Sequence, residues 1–343
     1  MKRLLFRAFP FVAGLMVAGT TVSFAQDDEL TLYTQRHYAF DEELQQMFTE
    51  ETGIKINVVK ANADELITRL QEEGENTPAD LYMTADGGTL SRAAEAGLLQ
   101  PIQSEKIMES VPKFLRDPDG RWVAITQRAR VIVYSKDRVA PAELSTYENL
   151  ADPSWRGRIA IRSSSNSYNQ SLMTTIIAAN GAEEAEKWAA AVRKNMARPP
   201  QGSDRDQIRA IAGGLADVAV VNTYYVGLLE TSEDAKDREA AAAVKLFFPN
   251  QEGRGTHVNI SGIGIVKGTK KADLARKYIE FLLSDKVQNM ISEATFEYPA
   301  AKTAKWSEMQ EGWGEFKADE VSMSKLGALN AEAIRMFNRA GWE

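Results

Sequence analysis

The sequence contains no cysteine in 343 residues. A chain without cysteine forms no disulfide bond and offers no thiolate ligand, so Cys-type zinc sites and iron–sulfur centres are excluded. It also cannot carry a lipid on an N-terminal cysteine. The fold therefore depends on its hydrophobic core. Apolar residues make up 44% of this long chain, which predicts one large domain or two lobes.

Histidines are also scarce, and basic residues are outnumbered by acidic ones. The net charge is −7, which argues against a nucleic-acid partner because phosphate binding requires a basic face. Of only two histidines, His257 is expected to be structural, so a two-histidine iron oxygenase site is hard to build. A phosphate loop and a dinucleotide-binding fingerprint are missing, and the serines at residues 163–165 lack a G-x-S-x-G context. These absences predict that the protein is not an enzyme.

Long hydrophobic runs are missing after the start of the chain. A positive segment with Lys2, Arg3 and Arg7 comes first, and the apolar stretch behind it ends in small residues up to Ala25. This pattern predicts that residues 1–25 are a secretory signal, cleaved near Ala25, and that the mature protein is soluble in a bacterial periplasm. An uncleaved anchor is the alternative, disfavoured because the apolar segment is shorter than the ~20 residues that span a bilayer.

The rest of the chain alternates between strand and helix patterns. The first strand, LTLYT, precedes a helix that Gly53 ends, and the next helix begins after Asn62, a suitable N-cap. Because strands alternate with helices, we predict the α/β class with a mainly parallel sheet. A second series of strands and helices begins after about residue 128, so two α/β lobes are expected.

Three strand-to-helix turns carry unusual side chains. They read YTQRHYAFDEE after the first strand, RSSSNSYNQSL after the strand at residues 158–162, and VNTYYVGLL after the strand at residues 217–222. In open parallel sheets such turns line the crevice at the carboxyl ends of the strands, where ligands bind. The candidate site residues in these turns are His37, Tyr38, Tyr168, Tyr224 and Tyr225.

Several phenols at one point indicate a hard, highly charged metal ion. The phenol of free tyrosine has a pKa of about 10, so a strong Lewis acid is needed to displace its proton at neutral pH. Ferric iron is the common ion of that kind, whereas zinc prefers histidine or thiolate and calcium prefers carboxylates. Asn222 is expected to cap the helix after the third turn, so that Tyr224 and Tyr225 both lean over its open end. The same helix N-terminus would favour their phenolate forms.

At these residues the chain resembles the ferric-ion-binding periplasmic proteins that feed bacterial ABC uptake systems. The motifs are LYTQRHY, PADLYMTADGGTL, RARVIVYSKD, NTYYVGLL and FFPNQEGRGTHVNISG. The resemblance implies a type II periplasmic binding protein, with two α/β lobes around a ligand cleft and crossings near residues 127–130 and 248–250. It places the N-lobe at residues 26–127 and 250–300, and the C-lobe at residues 128–249 and 301–343.

The turn at Thr84-Ala85-Asp86 separates this chain from one branch of the family. That branch has a glutamate where Ala85 stands here, together with a bound anion, and Asp86 is better interpreted as an N-cap. The chain instead resembles the branch with extra tyrosines, like the cyanobacterial iron-binding proteins. That resemblance implies ligands from His37 or Tyr38 in one lobe and from the remaining tyrosines, Tyr168, Tyr224 and Tyr225, in the other.

Charge neutrality predicts a neighbouring arginine. Four phenolates leave one net negative charge with Fe3+ and two with Fe2+, so the oxidation state stays open at this point. Arg36 and Arg130 are the candidates for neutralising it, with ordinary surface ion pairs as the alternative.

The function that the resemblance implies is capture of iron(III) by lobe closure and delivery to an ABC permease and its ATPase, with the binding protein expected to be a monomer. The alternative cargo is a small organic cation such as a polyamine or thiamine, held by aromatic side chains. The scarcity of acidic residues at the three turns disfavours that alternative.

Overall fold

The computed structural model describes residues 28–36 and 38–342, so the expected signal at residues 1–25 and His37 lie outside the described residues. Ten strands and thirteen α-helices form in the described part of the chain. The strands are β1 (Glu29–Thr34), β2 (Lys55–Lys60), β3 (Leu81–Thr84), β4 (Leu99–Gln100), β5 (Trp122–Ser135), β6 (Ile159–Ala160), β7 (Val218–Asn222), β8 (Val244–Phe247), β9 (Val258–Val266) and β10 (Tyr298–Pro299). The helices are α1 (Ala39–Thr52), α2 (Ala63–Glu73), α3 (Gly87–Glu95), α4 (Glu105–Ser110), α5 (Ser167–Asn180), α6 (Ala182–Asn195), α7 (Asp204–Ala212), α8 (Tyr224–Glu230), α9 (Ala235–Ala242), α10 (Ala272–Leu282), α11 (Asp285–Thr295), α12 (Glu308–Trp313) and α13 (Met323–Ala340).

One long strand, β5, belongs to two sheets. Its first part pairs with β9 as far as Ala129, and from Arg130 onward it pairs with β7. The strand order is β2-β1-β3-β9-β5-β7-β6, and β8 pairs with the second part of β5. The chain therefore forms two sheets joined by a crossing strand, and the connection from β8 back to β9 makes the second link.

The sheets are mixed rather than mainly parallel, so that prediction was wrong. Among the described residues β1 pairs in parallel with β2 and β3, and β6 with β7, whereas β5 and β9 pair antiparallel with all their partners. Strand and helix alternation cannot reveal this, because β9 returns from the second sheet and enters the first in the opposite direction.

Several local predictions are confirmed at the ends of helices. Gly53 ends α1 with a left-handed φ of 74°, a conformation that costs glycine little. The Asn62 side chain caps α2 by accepting a hydrogen bond from the backbone N–H of Glu65. The Asp86 side chain caps α3 in the same way through Thr89.

The last helix, α13, packs against both halves of the molecule. It contacts α3, beside the first sheet, and α5 and α6, beside the second. Within the part of the chain that the structure describes, helices long and apolar enough to cross a membrane are absent.

Candidate functional site

The three aromatic turns lie where the sequence predicts them, each between a strand and a helix. Tyr38 is just before α1, Tyr168 is in the first turn of α5, and Tyr224 and Tyr225 begin α8. The structure brings all four phenols together. The Tyr224 hydroxyl donates to the Tyr168 hydroxyl at 3.2 Å, and the Tyr224 and Tyr225 rings are 4.3 Å apart. Tyr38 lies within electrostatic range of Tyr168 and Tyr224.

Tyr168 and the Tyr224–Tyr225 pair, which follow strands of the second sheet, are positioned in two different ways. Asn166 caps α5 by accepting from the backbone N–H of Tyr168 at 3.0 Å. Asn222 does not cap α8 as expected, because it is the last residue of β7 and its side chain accepts from Arg130 at 3.2 Å. The N-cap of α8 is Thr223, whose side chain makes no capping hydrogen bond. The position of the tyrosine pair is therefore fixed by strand pairing and packing.

Burial raises the pKa of three of the phenols, those of Tyr38, Tyr224 and Tyr225. It is the largest cause that raises the pKa of Tyr38 and of Tyr224 well above the ordinary value, and it raises the pKa of Tyr225 to about 12. Glu297 raises the pKa of Tyr38 further, and the other phenols act in the same direction on Tyr224. In the protein without metal the net shift therefore favours the neutral phenol, opposite in direction to the effect expected of the helix N-terminus.

Both arginines predicted from charge counting lie beside the phenols. The Arg36 guanidinium is 4.7 Å from the Tyr38 ring centre, and it pairs with Asp41 at 2.9 Å and with Glu297 at 3.2 Å. The Arg130 guanidinium is 5.8 Å from the Tyr168 ring centre. It also pairs with a buried carboxylate, that of Asp204, at 2.5 Å. The positive charge of each of these two arginines is thus partly neutralised by a carboxylate in the protein without metal.

Sequence reasoning missed a third arginine, Arg128. It is 1% exposed, its guanidinium is 5.6 Å from the Tyr168 ring centre, and it acts electrostatically on Tyr38 and Tyr224 as well. Its nearest carboxylate oxygen, in Glu297, is 3.9 Å away, so its charge is less compensated than that of Arg130. The sequence did contain a signal for Arg128. Residues two apart on a strand share a face, and Arg128 lies two residues before the candidate Arg130 on the same strand.

Sequence reasoning also missed Glu297, which is 1% exposed. Its carboxylate accepts hydrogen bonds from the Tyr38 hydroxyl at 3.2 Å and from the Thr126 hydroxyl at 2.5 Å, in addition to its ion pair with Arg36. It stands just before β10, whose pairing with β5 brings it to the site. Nothing in the local sequence signals this, because a two-residue strand has no periodicity.

The remaining sequence interpretations concern Asp86 and His257. Asp86 is confirmed as a helix cap, with Oδ2 accepting from the backbone N–H of Thr89 at 2.7 Å. His257 is confirmed as structural, since it is buried and its ring nitrogens lie 3.0 Å from the Ser171 hydroxyl and 2.8 Å from the Thr175 hydroxyl. Burial, aided by Arg130, lowers the pKa of His257 to about 3, so its ring stays neutral.

The donor set favours a hard cation. Within residues 28–36 and 38–342, groups of three or more histidine, aspartate or glutamate side chains suited to a metal ion are absent. The clustered oxygens are phenolic, and they lie next to buried arginines that would offset the charge of several phenolates.

Comparison with known proteins gives a consistent family. Residues 76–315 match the model of the bacterial extracellular solute-binding proteins. The chain is 49% identical to iron uptake protein A1 of Synechocystis sp., over 93% of this chain and 88% of that protein, and 45% identical to iron uptake protein A2 of the same organism, over 93% and 91%.

Solved structures agree with this result. The Trichodesmium protein (IdiA, FutA) in complex with iron and citrate ligands is 46% identical with a TM-score of 0.88, covering 92% of this chain and all of that one. The ferric binding protein from Campylobacter jejuni is 42% identical with a TM-score of 0.86 and the same coverage. The type II periplasmic binding fold is thereby confirmed, as is the expectation of a binding protein rather than an enzyme. The chain belongs to the bacterial extracellular solute-binding proteins, in the group of periplasmic ferric-iron-binding proteins.

Proposed function

We propose that this protein captures Fe3+ through the phenolate oxygens of Tyr38, Tyr168, Tyr224 and Tyr225 and delivers it to an ABC permease and its ATPase. The observation that carries the proposal is the meeting of four phenols from three separate turns around a buried arginine. A small organic cation would need carboxylates, and the two carboxylates that act on the phenols, in Glu297 and Asp204, are already paired with Arg36 and Arg130. Iron also agrees with the names of the Synechocystis relatives.

His37 belongs to the proposed ligand set as a fifth donor, because it directly precedes Tyr38 in the sequence. Four arginines, Arg36, Arg128, Arg130 and Arg162, form the surrounding positive charge, and Arg205 lies at the surface beside Tyr225. The first four face three carboxylates, those of Asp41, Asp204 and Glu297, so one positive charge is left over, and Arg128 has the most distant carboxylate partner. One surplus positive charge among these groups matches the one excess negative charge of four phenolates with Fe3+, which favours Fe3+ over Fe2+ as the bound state.

The mechanism that we propose is lobe closure around the ion. The N-lobe comprises residues 26–127 and 250–300 and supplies Tyr38, and the C-lobe comprises residues 128–249 and 301–343 and supplies the other three phenols. An ion that needs ligands from both lobes binds the closed form more tightly and so shifts the population toward it. The permease would then recognise the closed shape.

The proposed setting is the bacterial periplasm. Residues 1–25 would act as the export signal and be removed near Ala25, and the mature protein would work as a monomer. Release to the permease would require opening of the lobes, protonation of phenolates or reduction of the iron.

The test is a titration of the purified protein with ferric citrate. Bound ferric iron should produce an orange-to-red colour from tyrosinate-to-iron charge transfer, and the double variant Y224F/Y225F should lose the colour while keeping its fold by circular dichroism. The matched control is Y33F, which removes a phenol that binds Glu73 instead of another tyrosine. A colourless wild-type protein without iron by elemental analysis would refute the proposal. A thermal shift with spermidine or thiamine, and none with iron, would favour the organic cation instead.

A further inference from the structure

Phe296 and Gly227 make a close contact between the two halves of the molecule. Gly227 lies in α8, two residues after Tyr225 and within the same short helix as the tyrosine pair. Phe296 ends α11 and lies two residues before β10, which pairs with the first-sheet part of β5. The contact therefore joins the helix that bears two of the proposed ligands to the half of the molecule that bears Tyr38.

The contact leaves no room for a side chain at position 227 of α8, where the residue is glycine. A Cβ atom built on Gly227 would lie 2.7 Å from Cγ of Phe296 and 2.7 Å from Sδ of Met309. The methionine sulfur is part of a flexible side chain and moves easily. Cγ of Phe296 lies two bonds from Cα, so it moves only if χ1 swings the whole buried ring or if the main chain shifts.

The backbone at Phe296 is itself unusual. Its φ is 57° and its ψ is 16°, the left-handed conformation that large side chains rarely adopt. The ring is nevertheless buried, at 9% exposure. Such a conformation persists only where the surroundings hold it, and it is often found at functional sites.

The next residue connects this contact to Tyr38. Glu297 accepts hydrogen bonds from the Tyr38 hydroxyl at 3.2 Å and from Thr126 at 2.5 Å, and it pairs with Arg36 at 3.2 Å. Two adjacent residues thus touch both parts of the proposed site, Phe296 through α8 and Glu297 through Tyr38. A shift of the backbone at Phe296 would move both contacts together.

We infer that Phe296 is a positioning residue for the iron site, and that its contact with Gly227 sets how closely Tyr224 and Tyr225 approach Tyr38. This inference rests on the proposed function. Phe296 does not bind the ion, and it acts only through the spacing of the ligands. Ligand sets tolerate errors of only a fraction of an ångström, so a methyl group inserted here should be measurable in the metal site.

The first test is G227A, titrated with ferric citrate beside the wild-type protein. We expect the affinity for iron to fall by about tenfold or more, and the charge-transfer absorbance per bound iron to change, because the phenolates no longer meet in one geometry. The matched control is G312A in α12, where an added Cβ has no neighbour within 4 Å. G312A should bind as the wild type does. The absorbance per bound iron separates positioning from simple loss of stability, which would leave it unchanged.

The second test is a double-mutant cycle with F296G. Glycine adopts the left-handed conformation freely, so F296G removes the ring without straining the chain or adding atoms to α8. We expect F296G alone to change the absorbance per bound iron, and G227A to cost little more once the ring is gone. Wild-type binding and spectrum in G227A, or losses that simply add in G227A/F296G, would overturn the inference. If G227A fails to fold, an unchanged spectrum in F296G would overturn it. If the wild-type protein itself does not bind iron, the proposed function fails first.

Discussion

At the scale of single residues, burial of the phenols in the site opposes the ionisation that metal binding would require. Phenols that are buried are hard to ionise, and the pKa of Tyr38, Tyr224 and Tyr225 is raised for that reason. The protein without metal therefore holds neutral hydroxyls, which form hydrogen bonds with one another and with Glu297. A cation of high charge is needed to offset the ionisation of several such groups, so we expect the cluster to select for such ions.

The raised pKa values predict how iron retention depends on pH. Because the phenols are neutral in the metal-free protein, each phenolate ligand forms by releasing a proton, so a fall in pH must weaken binding. We expect the iron-bound fraction at fixed citrate to decrease steadily from about pH 8 to about pH 5. Citrate is itself protonated over this range and competes less well, so the loss belongs to the protein.

The colour of the complex measures this retention, and the circular dichroism spectrum shows whether the fold survives. Y225F, with one phenol fewer, should show a shallower dependence on pH than the wild type. Retention of iron that does not change with pH would contradict tyrosinate ligation.

At the scale of secondary-structure elements, local chemistry was predictable and long-range pairing was not. Capping at Asn62 and Asp86 and the stop at Gly53 follow from residue types within one turn of the chain. Glu297 reaches the site through the pairing of β10 with β5, which joins positions about 170 residues apart in the sequence. The mixed sheets have the same cause, since the direction of β9 depends on where the chain crosses.

The tyrosine site itself was only partly predictable, unlike the local helix caps and the long-range strand pairings. Its four phenols were predictable because strand-to-helix turns at the carboxyl ends of strands line the crevice where ligands bind. Asn222 was misassigned because its residue type suits a cap, whereas its actual partners, Arg130 and Asp204, come from β5 and α7. Residue type identifies a candidate role, and the tertiary partners decide which role is used.

Asp204 gives a prediction at this scale. Its carboxylate is fully buried and pairs with Arg130 at 2.5 Å and with Arg162 at 3.3 Å, and it accepts from the backbone N–H of Asn222 at 2.8 Å. It thereby ties α7 to the strand that leads into the tyrosine pair. D204A leaves two arginines without their buried carboxylate, so we expect it to lower the free energy of unfolding by about 3–5 kcal/mol.

Denaturant unfolding of the metal-free protein measures this loss. The control is D64A, because Asp64 pairs with Arg92 at the surface and its side chain is 82% exposed. Exposed pairs contribute little, so D64A should unfold near the wild-type midpoint. Equal stability of D204A and D64A would show that the buried network does not hold α7 in place.

At the scale of the whole molecule, two sheets share one continuous strand, and the proposed ligands are divided between them. Tyr38 belongs with the first sheet, and Tyr168, Tyr224 and Tyr225 belong with the second. Helix α13 packs across both halves, so relative motion must slide or bend this contact. The periodicity of the sequence predicted two series of strands and helices, but the crossing strand followed only from the resemblance to a known family. A strand that pairs in one sheet and continues into another has no local sequence pattern.

This division predicts a change of shape on iron binding. An ion that needs phenolates from both halves binds the closed form more tightly, so it lowers the population of open forms by the difference in affinity. We expect small-angle X-ray scattering to give a smaller radius of gyration when ferric citrate is added to the wild-type protein. Y224F/Y225F should keep the metal-free radius, because it loses two ligands from one half. Y33F, whose phenol contacts Glu73 in α2, should contract as the wild type does. Iron binding by the wild type without contraction would mean that the closed arrangement already dominates before iron binds. The proposed permease would then have to distinguish loaded from empty protein by something other than shape.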